Sequence, residues 1–271
     1  MLRVELGERS ARVVALQILL NPQRQNEMDR WLVTDGAFGT RTQKAIDFFR
    51  DKAMRQSGPP GVADPGLWRF LLDREKLQVI DAVDVTDPSA LEGAVPPLSK
   101  WTDPIVLGGL SNGVDQLVRE VRARVRGEST LMMLRLHGHG SPGLVAVSHG
   151  SRRVSPGIDP LLAQSVITLG LMPVFTPLLR QLGPLFCDFG FIELHSCRVG
   201  EGPQGESFVR RFTDVIGAPV RAGASRQPIA EVFTLTGKTF SAFPGGVGLQ
   251  DWGFSRSEAV RPNELPPNRY F

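Results

Sequence analysis

Two stretches of this chain share one form, and together they constrain its fold more than any other feature. Phe191-Ile192-Glu193-Leu194 is a short apolar run of strand-forming residues that breaks at His195-Ser196-Cys197-Arg198-Val199-Gly200. Leu131 to Leu136 is a second such run, and it breaks at His137-Gly138-His139-Gly140. Glycine and small polar residues at these breaks mark turns at the carboxyl ends of two buried strands. In open α/β sheets that edge is where reactive groups collect. If the two strands are parallel neighbours, a thiol and an imidazole arrive together. A cysteine beside a histidine is the minimal apparatus of nucleophilic acyl transfer.

The rest of the chain from Leu77 onward alternates between strand and helix patterns. Leu77–Ile80 reads as a first strand, and 88–99, with Pro96-Pro97, as loop or linker. Ser111 is expected to cap a helix carrying Val114, Leu117, Val118, Val121 and Val125, which leads into the strand 131–136. Ser141-Pro142-Gly143 is a turn before a strand at Leu144–Val147. The apolar stretches Leu161–Leu171 and Val174–Leu182 are expected as covering helices. A helix at Ser207–Ile216, a strand at Ala218–Val220 and a hairpin within Thr234–Phe243 complete the pattern. Alternating strands and helices predict a mostly parallel sheet flanked by helices.

The first 76 residues read differently. Val13, Leu16, Leu19 and Leu20 form a helical stripe after Ser10. Thr40 is expected to cap a second helix with Ala45, Ile46, Phe48 and Phe49. Asp64 followed by Pro65 opens a third with Leu67, Trp68, Leu71 and Leu72. The expected organisation is a small all-α domain over 1–76 and an α/β domain over 77–271.

Composition excludes several classes. A net charge of +3 comes with no basic run interleaved with aromatics, so nucleic acid is not an expected partner. Arg119, Arg122, Arg124 and Arg126 read as the solvated face of a helix. No window approaches a membrane span, and the first residues lack the apolar core of a signal peptide. Two cysteines make no disulfide framework. No cofactor is expected.

Asp35-Gly36-Ala37-Phe38-Gly39-Thr40-Arg41-Thr42, with Leu16-Gln17 before it and Gly61 to Trp68 after it, resembles the three-helix peptidoglycan-binding module of cell-wall hydrolases. The resemblance covers about residues 6–72 and implies peptidoglycan as a partner of residues 1–76. The motif residues are chiefly structural: glycines set the turn, and Phe and Trp fill a small core. A wall-binding module without a leader leaves localisation open between the cytoplasm and a leaderless export route.

From 77 to about 250 the chain resembles the caspase-like cysteine peptidases, which include caspases, gingipains, separase and the bacterial CHAT domains. The resemblance rests on the strand ending in Gly138-His139-Gly140 and the strand ending in Ser196-Cys197. Gly200-Glu201-Gly202, Gly205, Phe208 and Gly217-Ala218-Pro219-Val220 add to it. It implies a cysteine endopeptidase acting on a protein or peptide, with Cys197 as nucleophile and His139 as general acid/base. The backbone N–H groups of Gly140 and Cys197 would form the oxyanion hole. His149-Gly150 imitates the same pattern and is a rival for the base. His195-Ser196 stands where several family members have Gln-Ala, which leaves primary specificity unread. Two further readings stand beside this one. His137, His139, His195 and Cys197 supply four N/S ligands of the kind zinc takes. A caspase-like domain without catalysis would instead be a scaffold or binding protein.

Overall fold

A computed structural model describes residues 3–21, 32–54, 58–86, 88–108, 113–148, 165–229 and 231–260. The chain divides into two compact units, Met1–Lys76 with Val247–Phe271, and Leu77–Gly246. The change at residue 76 is where the composition shifts. The second boundary, at 246, differs from the expected 77–271, because the C-terminal segment groups with the first unit.

In the first unit, β1 (Val4–Glu5) is followed by α1 (Ala11–Leu20) and α2 (Thr40–Phe49), then β2 (Val62–Ala63) and α3 (Pro65–Glu75). All ten residues of α1 are buried, so it is the unit's central helix rather than a one-sided one. Ser10 holds its N-cap position, with the hydroxyl turned to Glu8 at 2.7 Å. Gly39, not Thr40, precedes the first turn of α2. Asp64 caps α3 by accepting from the Leu67 N–H at 2.9 Å, with Pro65 next, an arrangement that contributes about 1 kcal/mol. The unit is not all-α: β1 and β2 pair antiparallel, Val4 with Ala63 and Glu5 with Val62.

The motif turn is held by two side chains, and Asp35 Oδ1 accepts from the Ala37 N–H at 2.9 Å. Gln17 of α1 donates to Asp35 Oδ1 (2.9 Å) and to the Ala37 carbonyl (3.1 Å), and accepts from the Gly36 N–H (3.0 Å). Phe38 and Thr42 are buried beside it. Gly36 takes φ +71°, and a Cβ there would strike Leu249.

The second unit runs β3 (Gln78–Asp84), α4 (Pro88–Gly93), α5 (Val95–Ser99), β4 (Ile105–Leu107), α6 (Gly113–Arg124), β5 (Leu131–His137), β6 (Gly140–Ser141), β7 (Leu144–Ala146), β8 (Val166–Thr168), α7 (Met172–Leu179), β9 (Phe186–His195), α8 (Gly202–Ile216), β10 (Val220–Gly223) and β11 (Thr239–Ala242). Its main sheet has the order β11-β10-β9-β5-β3-β4, parallel throughout except for β11. The chain lays β4 on one side of β3 and β5 on the other. The carboxyl ends of β3 and β5 therefore form a topological switch point, where such sheets bind ligands. A second small sheet, β6-β7-β8, is antiparallel.

Several expectations are corrected. Residues 88–99 are helical in α4 and α5, where Pro88, Pro96 and Pro97 sit in first turns, whose N–H positions have no intrahelical acceptor in any case. Within the expected helix 161–171, Val166–Thr168 is β8 pairing with β7, while 161–164 lie outside the described residues. In place of the expected hairpin within Thr234–Phe243, that segment holds one strand, β11, which pairs antiparallel with β10 across a long connection. Ser111 also lies outside the described residues.

One face of the main sheet is apolar. Ile80, Ala82, Leu134, Leu136, Ile192 and Leu194 pack with α6 and α8 through Val114, Leu117, Phe208 and Phe212. Each of these Ile, Leu, Val and Phe side chains contributes roughly 1.5–3 kcal/mol when fully buried. The other face is covered by Ala90 of α4, Ala94 between the two helices, Leu98 of α5, and Val232. It carries charge. Asp81, Arg135, Glu193 and Arg221 stand side by side on β3, β5, β9 and β10, alternating in sign. Two residues further along the same face lie Val83, His137 and His195.

The first unit is completed by α9 (Leu249–Val260). Thr34 Oγ1 donates to the Gly253 carbonyl at 2.9 Å, and a Cβ on Gly253 would lie 2.0 Å from the Thr34 oxygen. Glycine at 253 lets the helix and that strand-like segment touch backbone to backbone. Among the described residues no helix is long and apolar enough to cross a membrane.

Candidate active site

β5 and β9 are parallel neighbours in register, with Leu136 opposite Leu194 and His137 opposite His195. Both strands end there, and both turns open into one cavity of about 140 Å³ at the switch point. His139 and Cys197 line it together, with His137 and His195 at its base and Asp84 from the end of β3. His139 is exposed and Cys197 half-buried.

The two turns are pressed against each other at Gly140. A Cβ there would come within 2.8 Å of Ser196 Cβ and 2.9 Å of the Cys197 carbonyl oxygen. Only glycine permits that approach. The sequence thus brings the expected oxyanion residues, Gly140 and Cys197, to one place. Gly138 is similarly tight against Ala146 and Asp84. Immediately after the cysteine, Arg198 adopts φ +61°, a left-handed conformation uncommon for a residue with a side chain. Its N–H donates to the Ser225 carbonyl at 2.9 Å, and its guanidinium pairs with Glu201.

The loop between β10 and β11 meets the thiol. Cys197 Sγ accepts from the Gln227 N–H at 3.3 Å and lies 3.6 Å from the Gln227 carbonyl oxygen. The Gln227 amide in turn ties the loop: it donates to the Ser225 and Thr236 carbonyls and accepts from the Thr236 N–H at 2.8 Å. Pro228, Ile229, Glu231 and Val232 of the same loop form one wall of the cavity.

Beneath the cavity short bonds tie the charged row together, with Arg135 Nη1 left buried and without a hydrogen-bond partner among the described residues. Arg135 Nε and Nη2 donate to the two oxygens of Asp81 at 2.6 and 2.9 Å. Thr102 Oγ1 adds a bond at 2.7 Å. His137 Nε2 meets Asp81 Oδ1 at 3.0 Å, and His195 Nε2 meets Glu193 Oε2 at 3.1 Å. The two imidazoles face each other with centroids 4.8 Å apart. Burial opposes the charge on Asp81, yet the Arg135 guanidinium and His137 hold its carboxyl well below the usual carboxylate range. Burial outweighs the carboxylate partners at both imidazoles: His137 is lowered, and His195 is pushed down to about 3. Both rings are therefore neutral near pH 7.

His137 and His139 stand two residues apart, the spacing that keeps side chains on one face of a strand, and both line the cavity, although β5 itself ends at His137. Zinc finds no support: among the described residues no three His, Cys, Asp or Glu side chains are arranged to hold a metal ion. His149, the rival base, lies outside the described residues. Cys187 is buried in β9, and burial pushes its thiol up to about 12. Asp81, Asp84, Gln227 and Glu231 are site residues that the motifs did not point to. Asp81 and Asp84 carried a signal, since a carboxylate inside the apolar run Val79 to Val83, or at its end, needs a partner when buried. Gln227 and Glu231 carried none.

No family model, no curated protein and no solved structure matches this chain.

Proposed function

We propose that this protein is a caspase-like cysteine peptidase. The observation that carries the reading is the single cavity lined by His139 and Cys197, each at the end of one of two adjacent parallel strands. The resemblance of the two motifs implies that placement. In the reaction, His139 takes the proton of the Cys197 thiol, and the thiolate sulfur bonds to the scissile carbonyl carbon. The oxyanion is stabilised by the backbone N–H groups of Gly140 and Cys197, on two turns that touch because residue 140 lacks a Cβ. The C–N bond breaks as His139 returns its proton to the leaving amine. Water then releases the acyl group from sulfur. The test is hydrolysis of a mixed peptide library by the full chain: Cys197→Ala and His139→Ala should each lose it while the circular dichroism spectrum stays unchanged. Hydrolysis retained by Cys197→Ala removes the reading.

A second reading, a scaffold or binding protein without catalysis, is favoured by the contact of the thiol with Gln227, which occupies the sulfur. No hydrolysis by the unsubstituted chain across the library would favour it. For residues 1–76 the resemblance supports peptidoglycan as a partner, while Gln17, Phe38 and Thr42 serve the turn itself. Sedimentation of the full chain with purified sacculi tests that role, and a chain that stays in the supernatant would remove it.

A further inference from the structure

We infer that the cavity beside Cys197 takes a guanidinium side chain, that of an arginine supplying the scissile carbonyl. This assignment of substrate class rests on the peptidase reading for its word "scissile", but the pocket chemistry stands by itself.

The floor consists of two imidazoles whose tautomer is fixed. Asp81 and Glu193 offer carboxylate oxygens, which accept, so Nε2 of His137 and of His195 is the nitrogen that carries the proton. A neutral ring protonated at Nε2 has a bare Nδ1, an acceptor. Each ring is more than nine-tenths buried and lines the cavity, and neither Nδ1 has a partner among the described residues. Two acceptors on buried rings that line a pocket call for a ligand that donates.

The walls agree. Asp84 brings a carboxylate from the end of β3, oriented by the Thr86 N–H at 3.0 Å and the Thr86 hydroxyl at 2.5 Å, both on Oδ1. Glu231 brings a second from the loop, and it is exposed. No lysine or arginine lines the cavity among the described residues. Among the described residues, Asp84, Glu231 and the two bare imidazole nitrogens disfavour an acidic side chain there. Ala94 and Val232 give apolar wall against which a methylene stem packs. Acceptors spread over floor and wall suit the five-donor guanidinium better than the single ammonium of lysine.

The test uses the full chain in two arms. Cys197→Ala is titrated with 4-aminobenzamidine and with the uncharged 4-aminobenzamide, following fluorescence. The active chain is given peptide amides that differ only in the residue before the scissile bond: Arg, Lys, Gln, Leu or Asp. The amidine should bind at least about tenfold more tightly than the amide, and Glu231→Gln should weaken it by about tenfold. Asp84→Asn should do the same, and Glu231→Gln, at the surface, keeps the test valid if that buried variant misfolds. Arginine should be cleaved fastest and lysine next. Amidine binding without any cleavage leaves the pocket assignment standing and removes the peptidase reading. Cleavage after leucine or aspartate as fast as after arginine overturns the assignment while leaving the peptidase. Equal binding of amidine and amide also overturns it.

Discussion

Cys197 Sγ lies 3.3 Å from the backbone nitrogen of Gln227, so the loop joining β10 to β11 holds the thiol by main-chain contact. The Gln227 side chain fixes that loop through bonds to Ser225 and Thr236. A side chain that shapes the loop thereby governs access to a sulfur it does not itself touch. Gln227→Ala removes those ties and is expected to raise the rate of iodoacetamide labelling at Cys197 several-fold, as read by mass spectrometry. An unchanged rate would mean that the loop is held by other contacts.

The two thiols should differ sharply in the native protein. Cys197 lines a cavity, whereas Cys187 is buried and its thiol is raised to about 12. Reagent at neutral pH is expected to modify Cys197 alone, with Cys187 following only after addition of denaturant. Native labelling of Cys187 at a similar rate would contradict its placement in β9.

Acid should destabilise the second unit well above the usual carboxylate range. His195 has an ordinary value of 6.5 and about 3 in the fold. Between those values the unfolded chain binds a proton that the folded one does not, so stability falls as pH falls from 6.5 toward 3. His137, lowered in the same direction, adds to this. Asp81 acts at lower pH: its depressed value stabilises the fold above 3.8, and that contribution is lost as pH drops further. From pH 7 to pH 5 the contribution of His195 alone is about 2 kcal/mol. Urea midpoints across that range check it, and a flat profile would sink the buried neutral pair.

Arg135 is fully buried and binds Asp81 through two nitrogens, with its guanidinium carbon 5.3 Å from the Phe233 ring centroid. Arg135→Met leaves Asp81 without its main counter-charge in a dry interior. A loss of about 3–5 kcal/mol is expected in chemical denaturation. Asp81→Asn combined with Arg135→Met should recover part of that loss, because the stranded charge is gone. No recovery would show that the pair acts separately.

Gly253 allows α9 to lie against the Thr34 carbonyl in the first unit. Gly253→Val is expected to detach α9 and to raise amide exchange in α1 and α9. Amides of β5 and β9, in the other unit, should keep their protection. A chain of residues 77–246 should fold better than one of residues 77–271, which retains α9 without the unit it belongs to. Equal behaviour of the two would remove the assignment of α9.

The sequence by itself determined the elements whose signal is local. Apolar runs ended by glycine made β5 and β9 legible, and Asp64-Pro65 made the start of α3 legible. The Asp35 to Thr42 turn was legible for the same reason: each feature is written in adjacent residues. Tertiary structure alone decided the rest. Pairing of β5 with β9 in parallel joined His139 to Cys197, residues 58 positions apart in the sequence. Packing made helices of 88–99 and a strand of Val166–Thr168, because short segments take their form from the surface they cover. The floor of the cavity depended on register. Asp81, Arg135 and Glu193 lie in one row across three strands, and that row orients the two imidazoles. No spacing along the chain encodes which strand lies beside which, so a pocket built from three strand ends and a returning loop exists only once the sheet has formed.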